Sequence, residues 1–177
     1  TNGFYDFCNA YQPAELVDGV YQIGNAGQLF WFAELVNSGT KNTNAALTAD
    51  IDLEGRTCTP IAQTASYHAS AITDTGYTGI FDGQNHEIRN FTVAATRNYN
   101  PATLRIAAVF AIVLSLFGTV SGTVKNLGID NFSFDATATG KADCRAGGIA
   151  GQVLSGGRIE NCLTVNSSIL TGSRIAG

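Results

Sequence analysis

The sequence predicts a mostly β fold, a short parallel β-helix (solenoid) with one N-terminal capping α-helix. Three observations carry this: one strand pattern is written three times, an asparagine interrupts each copy at the same place, and glycines punctuate the copies alike. The copies are Ile88-Arg89-Asn90-Phe91-Thr92-Val93, Val124-Lys125-Asn126-Leu127-Gly128-Ile129 and Ile159-Glu160-Asn161-Cys162-Leu163-Thr164-Val165. They recur at about 35 residues, a period that marks stacked repeats rather than a closed globule. They are opened by Phe81-Asp82-Gly83, Phe117-Gly118 and Ala150-Gly151, and Arg174-Ile175-Ala176-Gly177 begins a fourth unit.

Each copy reads apolar, charged, Asn, apolar, any, apolar, so the two-residue alternation of a straight strand fails at the asparagine. A bend placed there returns Ile88, Phe91 and Val93, and their counterparts, to one interior. Asparagine suits such a bend because it tolerates the left-handed backbone region and its side chain bonds nearby backbone groups. Stacked corners are expected to set Asn90, Asn126 and Asn161 in a structural ladder of amide hydrogen bonds. Gly79, Gly83, Gly118, Gly122, Gly147, Gly148 and Gly151 let neighbouring rungs approach closely. One unit buries its thin apolar layer only against its neighbours, so residues 77–177 are read as one structural domain of repeats.

Residues 1–76 read as a lead-in and capping segment. Residues 1–18 carry no repeat and are expected to wrap the first rung, and Gly19 to Ile23 reads as a strand. Asn25 followed by Gln28 is a helix-capping pattern, and Leu29, Phe32, Ala33 and Val36 fall on one stripe. That gives a helix over about 25–37, ending near Asn37-Ser38-Gly39. A solenoid has to cover bare strand edges at its open end, and this helix is placed to do so. Phe30 and Trp31 lie off the stripe and are expected to pack under the first residues rather than to form an exposed platform. Leu47 to Leu53 alternates cleanly, giving a strand over about 45–53 with Thr48, Asp50 and Asp52 on a solvated face.

Residues 63–78 and 94–103 read as corner loops, and insertions in repeat proteins often carry their contacts. Tyr67, Tyr77 and Tyr99, in or beside these loops, are the candidate binding residues, because aromatic rings stack on sugars and anchor protein partners. The apolar run from Ile106 to Phe117 falls short of the ~20 residues of a membrane helix and reads as buried strand, so no membrane span is expected.

Of the 177 residues, 45% are apolar and 14% charged, which is enough to build one substantial core. A net charge of −4 and the absence of any basic run argue against a nucleic-acid surface. Without Met at position 1, Thr1 is expected to follow a removed leader or to lie within a longer chain. Cys8, Cys58, Cys144 and Cys162 contain no CxxC pair, which weakens zinc and redox readings. Two disulfides, Cys8 with Cys58 and Cys144 with Cys162, stand against small buried thiols.

Catalysis would need convergent polar groups, and Asp82, His86, Glu87, Asp50 and Asp52 are the candidates. Paired carboxylates on a β-helix suit polysaccharide hydrolysis or lysis. Yet Asp82-Gly83 is a common turn dipeptide, and later units replace these residues with Thr, Ser and Gly. Turn chemistry is the preferred reading, so no catalytic residue, metal or cofactor is assigned. Ser121 and Ser155 lack a nucleophile-elbow setting, and the glycine clusters lack the lysine of a phosphate loop.

FDGQNHEIRNFTV, LFGTVSGTVKNLGID and GGIAGQVLSGGRIENC, in that order, resemble the GLUG-repeat family of exported bacterial surface proteins over roughly residues 77–177. VDGVYQIGNAGQLFWFAELVN and ALTADIDLEG are similar to the segment that leads into such arrays. The resemblance implies a right-handed solenoid in a secreted or surface-anchored bacterial protein, adhesin-like and non-catalytic, structural or binding a glycan or host surface protein. It carries over no catalytic residue. Two alternatives stand beside it: a carbohydrate-active β-helix enzyme, hydrolase or lyase, and a self-associating module whose C-terminal end stacks on another copy or on further repeats.

Overall fold

The computed structural model describes residues 2–5, 10–63, 75–93, 111–135 and 143–170. These are mostly β, with one helix and mainly parallel sheets. The first strands are short and antiparallel: β1 (Phe4–Tyr5) pairs β2 (Ala10–Tyr11), and β3 (Glu15–Val17) pairs β4 (Val20–Ile23). Asp18 and Gly19 connect the second pair with φ of 49° and 78°. A two-residue loop with both φ values positive matches the right-handed twist of its strands, which is why Asp-Gly stands there.

Helix α1 (Ala26–Asn37) begins with a reciprocal cap. The Asn25 side chain accepts from the Gln28 N–H (2.9 Å), while Gln28 Oε1 accepts from the Gly24 N–H (2.8 Å). Two otherwise orphaned donors are thereby satisfied. The expected stripe, Leu29, Phe32, Ala33 and Val36, is buried. The helix packs against β6 (Ile51–Cys58), the outermost strand of its sheet. Phe30 lies on Tyr11 and Phe4 (ring centroids 5.4 and 5.6 Å), as expected of residues under the N-terminus. Trp31 packs instead on Tyr21 of β4 (5.2 Å).

Beyond the helix the chain lays strands side by side. In a six-stranded sheet, β5 (Asn44–Leu47), β7 (Ile80–Asp82), β11 (Thr123–Lys125) and β15 (Arg158–Glu160) follow β4, all parallel. A five-stranded sheet joins β6, β8 (Glu87–Val93), β12 (Gly128–Asp135) and β16 (Leu163–Val165), with β17 (Ser168–Leu170) also on β12, again parallel. Two parallel pairs complete the arrangement, β10 (Phe117–Val120) with β14 (Ala150–Val153) and β9 (Ala111–Leu114) with β13 (Asp143–Ala146).

In-register stacking sets like on like, because side chains alternate between the faces of a strand. Ala45, Phe81 and Val124 align in one sheet and Ile51, Ile88 and Ile129 in the other, and all six are buried. Ring contacts bind the layers: Phe32 to Phe81 at 5.9 Å, Phe81 to Phe117 at 5.2 Å, Phe91 to Phe132 at 5.1 Å. Each such side chain contributes about 1.5–3 kcal/mol by leaving water. Of the apolar run from Ile106, the described part is not one strand: β9 ends at Leu114, a bend at Ser115 and Leu116 follows, and β10 begins at Phe117, with Leu114, Leu116 and Phe117 buried.

Two expectations are corrected. Residues 45–53 are two strands: β5 ends at Leu47 in the six-stranded sheet, and β6 begins at Ile51 in the five-stranded one. Clean alternation continues across the corner at Thr48–Asp50 and hides it. The asparagine ladder is also differently composed. Asn90, Asn126 and Asn161 do adopt φ of 57°, 52° and 49°, and Ile88, Phe91, Val93, Val124, Leu127 and Ile129 do all point inward. But register places Asn90 beside Asn131, and Asn126 beside Asn161. The motif occurs twice in a repeat, at Val124–Ile129 and again at Ile129–Phe134, so the spacing matched Asn90 to the wrong corner.

Candidate functional site

The corner asparagines turn their amides toward the preceding repeat. Asn161 Nδ2 donates to Asn126 Oδ1 (2.9 Å), and Asn126 Nδ2 donates to Asp82 Oδ1 (3.0 Å). At the other corner, Asn131 Nδ2 donates to Asn90 Oδ1 (2.8 Å), and Asn90 Nδ2 reaches both carboxylate oxygens of Asp52 (3.0 Å each). Asn166 Nδ2 donates to Asp130 Oδ1 (2.8 Å). In two of the three chains the last acceptor is an aspartate reached through an intervening asparagine, and in the third the aspartate accepts directly.

Two of the candidate catalytic carboxylates, Asp82 and Asp52, are among these acceptors. Asp82 also takes Lys125 Nζ (3.2 Å) and the Gln84 N–H (3.0 Å). Burial pushes its carboxyl up, but bonds from Asn126, the Gln84 N–H and Lys125 outweigh that and hold it below the usual carboxylate range. The Asn90 amide and the Glu54 N–H hold Asp52 low, and Arg89 Nε lies 3.2 Å away. The Glu87 N–H and His86 hold Asp50 low, with His86 Nδ1 at 2.9 Å. Glu87 pairs with Arg89 Nη1 at 2.9 Å. A general acid at neutral pH needs a raised pKa. Asp50, Asp52 and Asp82 are shifted the other way, each by a partner in the following repeat. Among the described residues no group of three His, Cys, Asp or Glu is placed to hold a metal ion.

Tyr77 is not a contact residue. Its side chain is fully buried, its hydroxyl donates to the Thr43 carbonyl (2.8 Å), its ring lies 5.4 Å from that of Phe117, and burial raises its pKa. Gly76 and Gly79 on either side press against the backbone of Thr119 and Thr43, which leaves the ring only the interior. Tyr67 and Tyr99 lie outside the described residues. Cys58 and Cys162 are free thiols, so neither sequence-level disulfide is formed; Cys8 and the Cys144 side chain lie outside the described residues. Burial pushes the Cys58 thiol up to about 12, in keeping with its role as a small core hydrophobe.

A cleft of about 300 Å³ was not foreseen. Tyr11, Phe30, Ala33, Glu34, Asn37, Thr59 and Gln63 line it, bringing β2, one side of α1 and the segment after β6 together. Phe30, Glu34 and Asn37 fall at i, i+4 and i+7, a second helical stripe beside the core-facing one. That spacing was the available signal. Its partners on β2 and after β6 are far away in sequence.

At the other end, β15 and β16 are the outermost described strands of their sheets, and Ile159, Leu163 and Val165 are exposed. No described helix is long and apolar enough to cross a membrane. No protein-family model, curated protein or solved structure matches this chain.

Proposed function

We propose that the chain is a non-catalytic repeat segment of a secreted or surface-anchored bacterial protein. In this reading it is a short right-handed parallel β-helix, capped by α1, that acts as an adhesin-like scaffold and binds a glycan or a host surface protein. One observation carries the non-catalytic part: Asp50, Asp52 and Asp82, three of the carboxylates that would serve hydrolysis or lysis, are spent on bonds between repeats. The resemblance of the repeats to GLUG arrays supports the surface location. A broad glycan array, with turnover of the same sugars assayed in parallel, tests it. Binding without turnover supports the reading, whereas turnover that is lost in Asp82→Asn would replace it with the carbohydrate-active alternative.

Self-association is a second reading, favoured by the exposed β15. Its sequence, Arg158-Ile159-Glu160, is self-complementary about Ile159 when paired antiparallel with a second copy, Arg158 facing Glu160 in both directions. Light scattering showing monomer alone at high concentration sinks it.

A further inference from the structure

The cleft beside α1 brings together the chemistry that recognises a sugar. We propose that it is a carbohydrate subsite taking one neutral pyranose of a glycan. The proposal rests on the glycan-binding reading above and gives that reading a place.

Tyr11 and Phe30 form one wall, half-buried, their rings stacked at 5.4 Å and 26°. Aromatic rings of this kind offer the apolar surface that the C–H face of a pyranose needs, while the Tyr11 hydroxyl is a polar handle. Buried Ala33 keeps the floor shallow and apolar.

The opposite wall is tied down before any ligand arrives. Asn37 Nδ2 donates to the Pro60 carbonyl (3.0 Å), and Asn37 Oδ1 accepts from the Gln63 N–H (2.9 Å), which clamps the segment after β6 to the helix. A preformed cleft binds at lower entropic cost. Glu34, one turn from Phe30 and Asn37, is exposed and makes no side-chain bond or ion pair among the described residues. Its two oxygens accept from sugar hydroxyls, and Thr59 both donates and accepts. Among the described residues Glu34 is also the only charged group on the lining, in a chain of net charge −4, so the site disfavours uronic and sialic acids.

Saturation-transfer NMR on the 177-residue chain tests this, with methyl glucopyranoside, methyl galactopyranoside and N-acetylglucosamine as neutral probes, and glucuronic and N-acetylneuraminic acids as acidic ones. We expect transfer to at least one neutral sugar and none to the acids. Tyr11→Ala should weaken binding at least about tenfold and Glu34→Gln about fivefold, as lost stacking and one lost charged acceptor imply. Glu34→Gln alters no core residue, so it decides the matter if Tyr11→Ala fails to fold by circular dichroism. Sugar binding unchanged in Glu34→Gln and in folded Tyr11→Ala overturns the site and leaves the glycan reading standing. A preference for acidic sugars overturns the site as well, and no binding to any sugar overturns both.

Discussion

Asn161 donates its side-chain amide to the side-chain oxygen of Asn126 across 2.9 Å, and Asn126 donates in turn to Asp82 across 3.0 Å. One residue thus links three successive repeats while holding a φ of 52°. Asn126→Ala should remove both bonds and also place a Cβ-bearing residue without local compensation in the left-handed region, for a loss of about 2–3 kcal/mol. Asn126→Gly should cost ~1 kcal/mol less, because glycine meets no left-handed penalty. Urea midpoints at constant slope measure both, and equal losses would show that the backbone conformation contributes nothing.

Acid should weaken the stack from a low threshold. Asp50, Asp52 and Asp82 have folded-state pKa values below the ordinary one, so protons bind the unfolded chain better. Their contribution is complete above about pH 5, and is lost as pH falls through ~4 toward the lower folded values. Thermal midpoints should therefore stay level from pH 7 to 5 and drop below 4. Asp82→Asn should be less stable at pH 7 and show a shallower acid drop; an identical drop would remove Asp82 from the account.

Close backbone approach and positive φ are separable in the glycines. A Cβ on Gly122 would collide with the Gly79 carbonyl and the backbone of Thr78, whereas one on Gly156 would meet nothing within 4 Å, though Gly156 has a φ of 89°. Gly122→Ala should cost about 3 kcal/mol and Gly156→Ala about 1 kcal/mol. The reverse order in chemical denaturation would contradict the stacking distance between these repeats.

Thiol chemistry reports on burial. With its pKa pushed up to about 12, Cys58 should resist a disulfide reagent at pH 8 until the chain unfolds, while half-buried Cys162 reacts sooner. Variants lacking Cys8 and Cys144 isolate the two signals. Native Cys58 reacting at the unfolded rate would place it at the surface.

Much of the local structure was legible in the residues. The cap at Asn25 and Gln28, the buried helical stripe, the bend at each asparagine and the inward set around Ile88, Phe91 and Val93 are all written within a few positions of one another. Periodicities of 3.6 and 2, together with the left-handed tolerance of asparagine, report on the nearby chain alone. Long-range packing instead sets Asn90 against Asn131, places a corner between Leu47 and Ile51, turns Tyr77 inward under Thr43, and gathers Tyr11, Glu34 and Thr59 at one cleft. Each of these depends on the register between segments tens of residues apart. Two corners with the same chemistry are equivalent to the local backbone, and only the packing of one repeat on the next distinguishes them.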